Sequence, residues 1–174
     1  MQMSDARQID AAPGVVWAAL LDPVVLKAAV PGCEELTGSP EEGFEAVVVQ
    51  KVGPVKARFS GVVTLADRVE GASLTLAGEG KGGAAGFARG EARVRLEPAG
   101  GGTLLHYEVD AKVGGKLAQL GSRIIDGFAR KMADDFFARF QAAVEGPDEA
   151  VPEEDEPAEA GEKKGWFKRV LGKD

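Results

Sequence analysis

Three stretches decide the fold: GFARGEARVRLE at residues 86–97, TLLHYEVDAKV at 103–113 and KLAQLGSRIIDGFARKMADDFFARFQAAV at 116–144. In the first, Arg89, Glu91, Arg93, Arg95 and Glu97 alternate with Ala88, Gly90, Ala92, Val94 and Leu96. In the second, His106, Glu108, Asp110 and Lys112 alternate with Leu105, Tyr107, Val109, Ala111 and Val113. Successive side chains of a strand point to opposite faces, so each stretch reads as a strand with one charged and one apolar face. In the third stretch the period changes. Leu117, Leu120, Ile124, Phe128, Met132, Phe136, Phe140 and Val144 recur every three or four residues, the spacing of one helix face, while Arg123, Asp126, Arg130 and Asp134 fall elsewhere.

Further strands are expected near 34–38, 44–52, 55–69 and 72–81, with turns at Ser39-Pro40, Gly53-Pro54, Glu70-Gly71, Gly82-Gly83 and Gly100-Gly101-Gly102. Strands joined by short turns form an antiparallel meander. Ahead of them, Met3 to Ile9 reads as another strand, and Pro13 stands at a first helical position before Val15, Val16, Trp17, Leu20 and Leu21. Asp22-Pro23 is an N-cap and first-turn pair opening a second short helix through about Ala29, which Pro31-Gly32 ends. A curved sheet needs cover for its concave face, and the 116–144 helix is the one element long enough. The fold class is α+β: a curved seven-stranded antiparallel sheet around a long C-terminal helix, with two short helices after the first strand.

At 174 residues and 44% hydrophobic content, the chain has the size of one globular domain. One Cys and one His exclude a four-ligand zinc or iron–sulfur site and an internal disulfide. No apolar run reaches the roughly 20 residues of a membrane-spanning helix, and the first residues do not form a signal peptide. The formal charge of −7 argues against nucleic-acid binding, but it is unevenly spread. Residues 1–145 carry 16 Lys+Arg and 19 Asp+Glu; residues 146–162 carry eight acids and no base; residues 163–174 carry five bases and one acid. This divides the chain into a domain at 1–145, an acidic linker at 146–162 and a basic tip at 163–174. The linker has three prolines, no aromatic residue and Val151 as its one large aliphatic side chain, so it is expected to be disordered.

The inner face of the sheet is apolar but unusually small, with Ala57, Gly61, Gly78, Gly80, Ala88, Gly90, Ala92 and Ala111; the covering helix carries Ala118, Gly121 and Gly127 in its first half. Two readings stand side by side. Strand glycines permit sharp curvature and helix glycines permit close packing. Alternatively, the small residues leave an apolar cavity, with Phe59, Gly61, Leu76, Gly78, Gly90, Tyr107, Leu120, Ile124 and Phe128 as its lining, suited to a lipophilic ligand.

In the tip, Trp166, Phe167, Val170 and Leu171 cluster on a helix, flanked by Lys163, Lys164, Lys168 and Arg169. Aromatic residues suit the headgroup boundary and bases attract anionic lipid, so the segment reads as a small interfacial membrane anchor. Docking on its own domain or on a partner protein is the competing reading. As a flexible coil, the linker would reach about 20–25 Å. Chemistry-bearing motifs are otherwise scarce. The glycines near 78–90 lack a phosphate-loop context, His106 points outward, and Cys33 lies in a Pro-Gly loop without a general base beside it in sequence. No catalytic residue, metal site or tightly bound cofactor is expected.

Three strings in order carry a resemblance: Asp22-Pro23 through Val30-Pro31-Gly32-Cys33-Glu34; Lys51-Val52-Gly53-Pro54-Val55-Lys56-Ala57-Arg58-Phe59-Ser60-Gly61; and Gly114-Gly115-Lys116-Leu117-Ala118-Gln119-Leu120-Gly121-Ser122-Arg123, running on to Phe136-Phe137. Residues 1–145 thereby resemble the G-subunit family of carbon monoxide dehydrogenase, within the START-like helix-grip superfamily. The resemblance implies a non-catalytic accessory protein that recruits a molybdenum hydroxylase, such as carbon monoxide dehydrogenase, to the inner face of the cytoplasmic membrane. It implies a cavity for hydrophobic molecules, with a quinone as candidate ligand because the dehydrogenase's electrons must enter the respiratory chain. A maturation or assembly factor, or a small-molecule enzyme of the same superfamily, are the alternatives.

Overall fold

The computed structural model describes residues 1–145; the expected linker at 146–162 and basic tip at 163–174 lie outside the described residues. Seven strands, β1 (Gln2–Ile9), β2 (Cys33–Ser39), β3 (Gly43–Val52), β4 (Val55–Val69), β5 (Ser73–Lys81), β6 (Phe87–Ala99) and β7 (Gly102–Gly114), form one antiparallel sheet. Its order is β1-β7-β6-β5-β4-β3-β2, so the meander from β2 to β7 is closed by β1 at the far edge. Between the two edge strands run α1 (Pro13–Leu20) and α2 (Pro23–Ala29). Asp22 caps α2 by accepting a hydrogen bond from the Val24 N–H at 2.9 Å, and Pro23 follows it at the first helical position.

The register holds the alternation seen in the sequence. Gly78 faces Gly90 and Val63, Leu76 faces Ala92 and Leu65, and Tyr107 faces Val94 and Asp5. Opposed residues share a face, so the small residues gather on one side. Two bulges interrupt the ladders, one after Cys33 and one between Ala66 and Val69, where Asp67 takes a φ of +53°. Each adds local twist and bends its strand.

The C-terminal helix α3 spans Ser122–Glu145, shorter at its start than the expected 116–144 helix. Residues Ala118–Leu120 instead form a single 3-10 turn, and Gly121 takes a φ of +90° that no helix residue adopts. Tertiary structure claims this segment: the Leu117 N–H donates to the Ala85 carbonyl at 3.0 Å, tying it to the β5–β6 connection. Gly121 is therefore a break before α3 rather than a helical glycine. Cys33 is likewise corrected, from a loop to the first residue of β2.

Packing falls into two clusters. The larger joins Ile9, Val16, Trp17, Leu74, Leu96, Leu105, Tyr107, Phe137 and Phe140, with Phe140, Ile9 and Val16 fully buried. It locks the second half of α3 against β5–β7, β1 and α1. The smaller, at the opposite end of the sheet, joins Val52, Leu117 and Ile125, with Met1, Val55, Phe59, Val113, Leu120 and Phe128 against it.

Candidate functional site

Between these clusters lies the concave face of β4–β7. Phe59, Gly61, Val63, Gly78, Gly80, Ala88, Gly90, Ala92 and Ala111 are all half-buried there, although they face the helix side of the sheet. A Cβ built on Gly78 would meet only β4 atoms, Val63 Cγ2 at 3.3 Å and the Val62 carbonyl oxygen at 3.5 Å. One built on Gly80 meets only Phe59 Cβ and the Ser60 oxygen, both at 4.0 Å. No atom of α3 comes that close at either position. On α3 itself, Phe128, Met132 and Ala133 are half-buried too.

The expected lining residues divide. Phe59, Leu120 and Phe128 stand at the edge of the smaller cluster and Leu76 at the edge of the larger, bracketing the small-residue strip. Tyr107 belongs to the core: it is 6% exposed and stacks on Phe137 with ring centroids 5.2 Å apart. Ile124 is 41% exposed, with its Cγ2 3.5 Å from where a Gly53 Cβ would stand; Ile125 takes the buried place. At the helical spacing of α3, Ile125 falls in the middle of the face that carries Phe128, Met132, Phe136 and Phe140, and Ile124 falls beside it. Gly90 also has a different reason from Gly78 and Gly80. A Cβ there would sit 2.3 Å from the Asp110 oxygen and 2.8 Å from Ala111 Cα, so it answers to a close approach of β7.

Polar chemistry on this face is concentrated at one edge. Arg7 stands on β1 with the same parity as Met3 and Ile9, and its guanidinium donates to Asp134 of α3. It also lies 5.1 Å over the Phe137 ring, with Asp5 at 3.9 Å. Burial lowers the Arg7 pKa, but hydrogen bonding with Asp134 and Tyr107 and their charges outweigh it, so the net direction is upward. Arg7 thus remains a cation and fastens α3 to the edge strand. Its parity with Met3 and Ile9 was the sequence signal for an inward place.

His106 faces outward, as expected, but has a partner that spacing did not reveal: its Nε2 lies 2.8 Å from Glu97, which also meets Arg95 at 3.6 Å. The hydrogen bond from His106 holds the Glu97 carboxyl below its ordinary pKa. A groove of about 670 Å³ crosses this outer face beside Arg93, Arg95, His106 and Glu108. Its charges are largely matched to one another, Arg93 with Glu108 at 3.1 Å among them. Cys33 donates from Sγ to the Glu35 carbonyl at 3.3 Å, and burial raises its pKa, which disfavours the nucleophilic thiolate. Among the described residues no three His, Cys, Asp or Glu side chains are grouped to hold a metal ion, and no helix is long and apolar enough to cross a membrane.

Among solved structures, the fold is similar to a conserved protein from Geobacillus kaustophilus, with a TM-score of 0.78 and 27% identity, covering 83% of this chain and 95% of that one. It is also similar to a START superfamily protein from Mycobacterium smegmatis, with a TM-score of 0.63 and 15% identity over 83% of this chain and 97% of that one. A protein from Rhizobium leguminosarum matches with a TM-score of 0.64 and 17% identity over 83% and 94% of the two chains. No curated protein sequence gives a significant match. The family model for the G-subunit of carbon monoxide dehydrogenase (CoxG) matches residues 6–145, the whole sheet from the middle of β1 and all of α3. With a START-like helix-grip fold and that match, the chain belongs to the CoxG family, the G-subunit family of carbon monoxide dehydrogenase.

Proposed function

We propose that this protein is a non-catalytic accessory protein of a molybdenum hydroxylase of the carbon monoxide dehydrogenase type, which it recruits to the inner face of the cytoplasmic membrane. A lipophilic molecule, with a quinone as first candidate, occupies the concave face between the two packed clusters. The observation that carries the ligand part is the strip at Gly78 and Gly80, over which α3 places no atom within contact range. An apolar, small-residue surface bracketed by Phe59, Leu76, Leu120 and Phe128 binds by area and shape rather than by hydrogen bonds. Family membership supports the dehydrogenase as partner. The bases and aromatic residues of 163–174 support the membrane contact.

Native mass spectrometry of the full chain incubated with extracted membrane lipids tests the ligand: a retained apolar molecule is expected, and a bare protein mass throughout would refute that part. Vesicle flotation of the full chain and of a chain lacking 163–174 tests the tip. Weaker flotation of the shortened chain is the expected result, with the full chain's own binding falling as salt is raised; equal flotation by both would remove the anchor from the proposal.

A further inference from the structure

Eight of the domain's 16 bases gather at one end. Three segments meet there: residues 49–58 around the β3–β4 turn, 81–89 around the β5–β6 connection, and 112–125 leading from β7 into α3. Packing brings them together. Val52, Leu117 and Ile125 share one buried cluster, Leu117 bonds to Ala85, and Ile124 and Leu120 lie over Gly53. These segments contain Lys51, Lys56, Arg58, Lys81, Arg89, Lys112, Lys116 and Arg123, and no Asp or Glu. The rest of residues 1–145 holds the other eight bases and all 19 acids. All eight bases at this end are exposed, and among the described residues one of them is in an ion pair, Arg58 with Glu34 at 2.6 Å. The acids begin at its border, where Glu79 stands opposite Arg89 and shares an outer groove with Lys112, Glu91 and Asp110.

The same end carries apolar groups in reach of solvent. Ile124 is 41% exposed, Pro54 is exposed, and Leu120 and Phe87 are half-buried. An apolar tip ringed by bases, on a domain whose other parts are strongly acidic, is complementary to one surface above all: an anionic bilayer. Its charges draw in Lys and Arg while its interface accepts Ile and Pro side chains. The acidic remainder is repelled by the same field, which orients the domain.

We infer that the basic end formed by residues 49–58, 81–89 and 112–125 is a second membrane-docking surface, which lays the domain on anionic lipid independently of residues 163–174. The proposal rests on the membrane reading above, but it concerns the domain itself. Beside this end stand Phe59, Leu120 and Phe128, so docking would set the smaller cluster's edge of the concave strip against the bilayer.

Flotation with phosphatidylcholine vesicles, and with vesicles containing 30% phosphatidylglycerol, separates the two contacts. The full-length chain with Lys163→Gln, Lys164→Gln, Trp166→Ala, Phe167→Ala, Lys168→Gln and Arg169→Gln is expected to keep measurable binding to the anionic vesicles at low salt. Adding Lys51→Gln, Lys56→Gln, Lys116→Gln and Arg123→Gln should then weaken it by about a hundredfold or more, since each base at the surface is worth roughly fivefold. Lys→Arg replacements at positions 51, 56 and 116 should preserve binding, which separates charge from misfolding. A tryptophan placed by Ile124→Trp should be quenched by brominated lipid. No anionic-vesicle binding by the tip variant would overturn the inference while leaving the anchor intact. Unchanged binding after the four further substitutions would also overturn it. Loss of dehydrogenase binding with vesicle binding untouched would assign the face to a protein instead.

Discussion

Glycines of similar appearance have different causes at the scale of single residues. At Gly90 a methyl group would collide with the Asp110 carbonyl and the Ala111 backbone, whereas at Gly80 it would sit in ordinary contact. Gly90→Ala should therefore cost about 1–3 kcal/mol, as overpacking does. Gly80→Ala should be neutral or slightly stabilising, by about 0.4–1 kcal/mol, because it lowers the entropy of the unfolded chain. Equal urea midpoints for the two variants would contradict this division. On the outer face, His106 lowers the Glu97 pKa through a hydrogen bond and then through charge. A depressed carboxyl contributes stability above its unfolded pKa and loses it as pH falls through the folded value. His106→Ala should raise the Glu97 midpoint in a carbon-detected NMR titration, and an unmoved midpoint would remove the pair.

Two devices set α3 in place at the scale of elements. Gly121 ends the 3-10 turn with a φ of +90°, so the helix starts at Ser122, and within it Ile125 is buried while Ile124 is exposed. Gly121→Ala meets no neighbour within 4 Å, so its cost is conformational alone, about 1–2 kcal/mol, and thermal melts should show it. At the other half, Arg7 clasps Asp134 and covers Phe137, joining the edge strand β1 to α3. Arg7→Met keeps apolar cover but removes the cation. It should lower stability by about 1–2 kcal/mol, measured by chemical denaturation, with faster amide exchange in β1 as the accompanying sign. Alternation predicted the strands well because a half-buried sheet imposes period two on its sequence. It could not place the start of α3: residues 116–120 have helical spacing, but Leu117 spends its N–H on Ala85.

For the whole molecule, the arrangement of two packed clusters with a thinly covered strip between them matters most. A side chain large enough to fill that strip should leave the fold intact and expel a lipophile. Gly80→Leu is expected to reduce ligand retention in native mass spectrometry by tenfold or more, roughly the effect of losing a few buried methylenes of ligand contact; undiminished retention would place the ligand elsewhere. Charge segregation acts at this scale too, since the three segments that form the basic end are far apart along the chain. The sequence by itself determined the element order, the two faces of the sheet and the long amphipathic helix, because period and turn chemistry are local properties. Tertiary structure alone decided that α3 begins at Ser122, that Tyr107 packs into the core, that Arg7 reaches Asp134 and that eight bases share one end. Those outcomes depend on which distant segments touch, and local spacing carries no record of that.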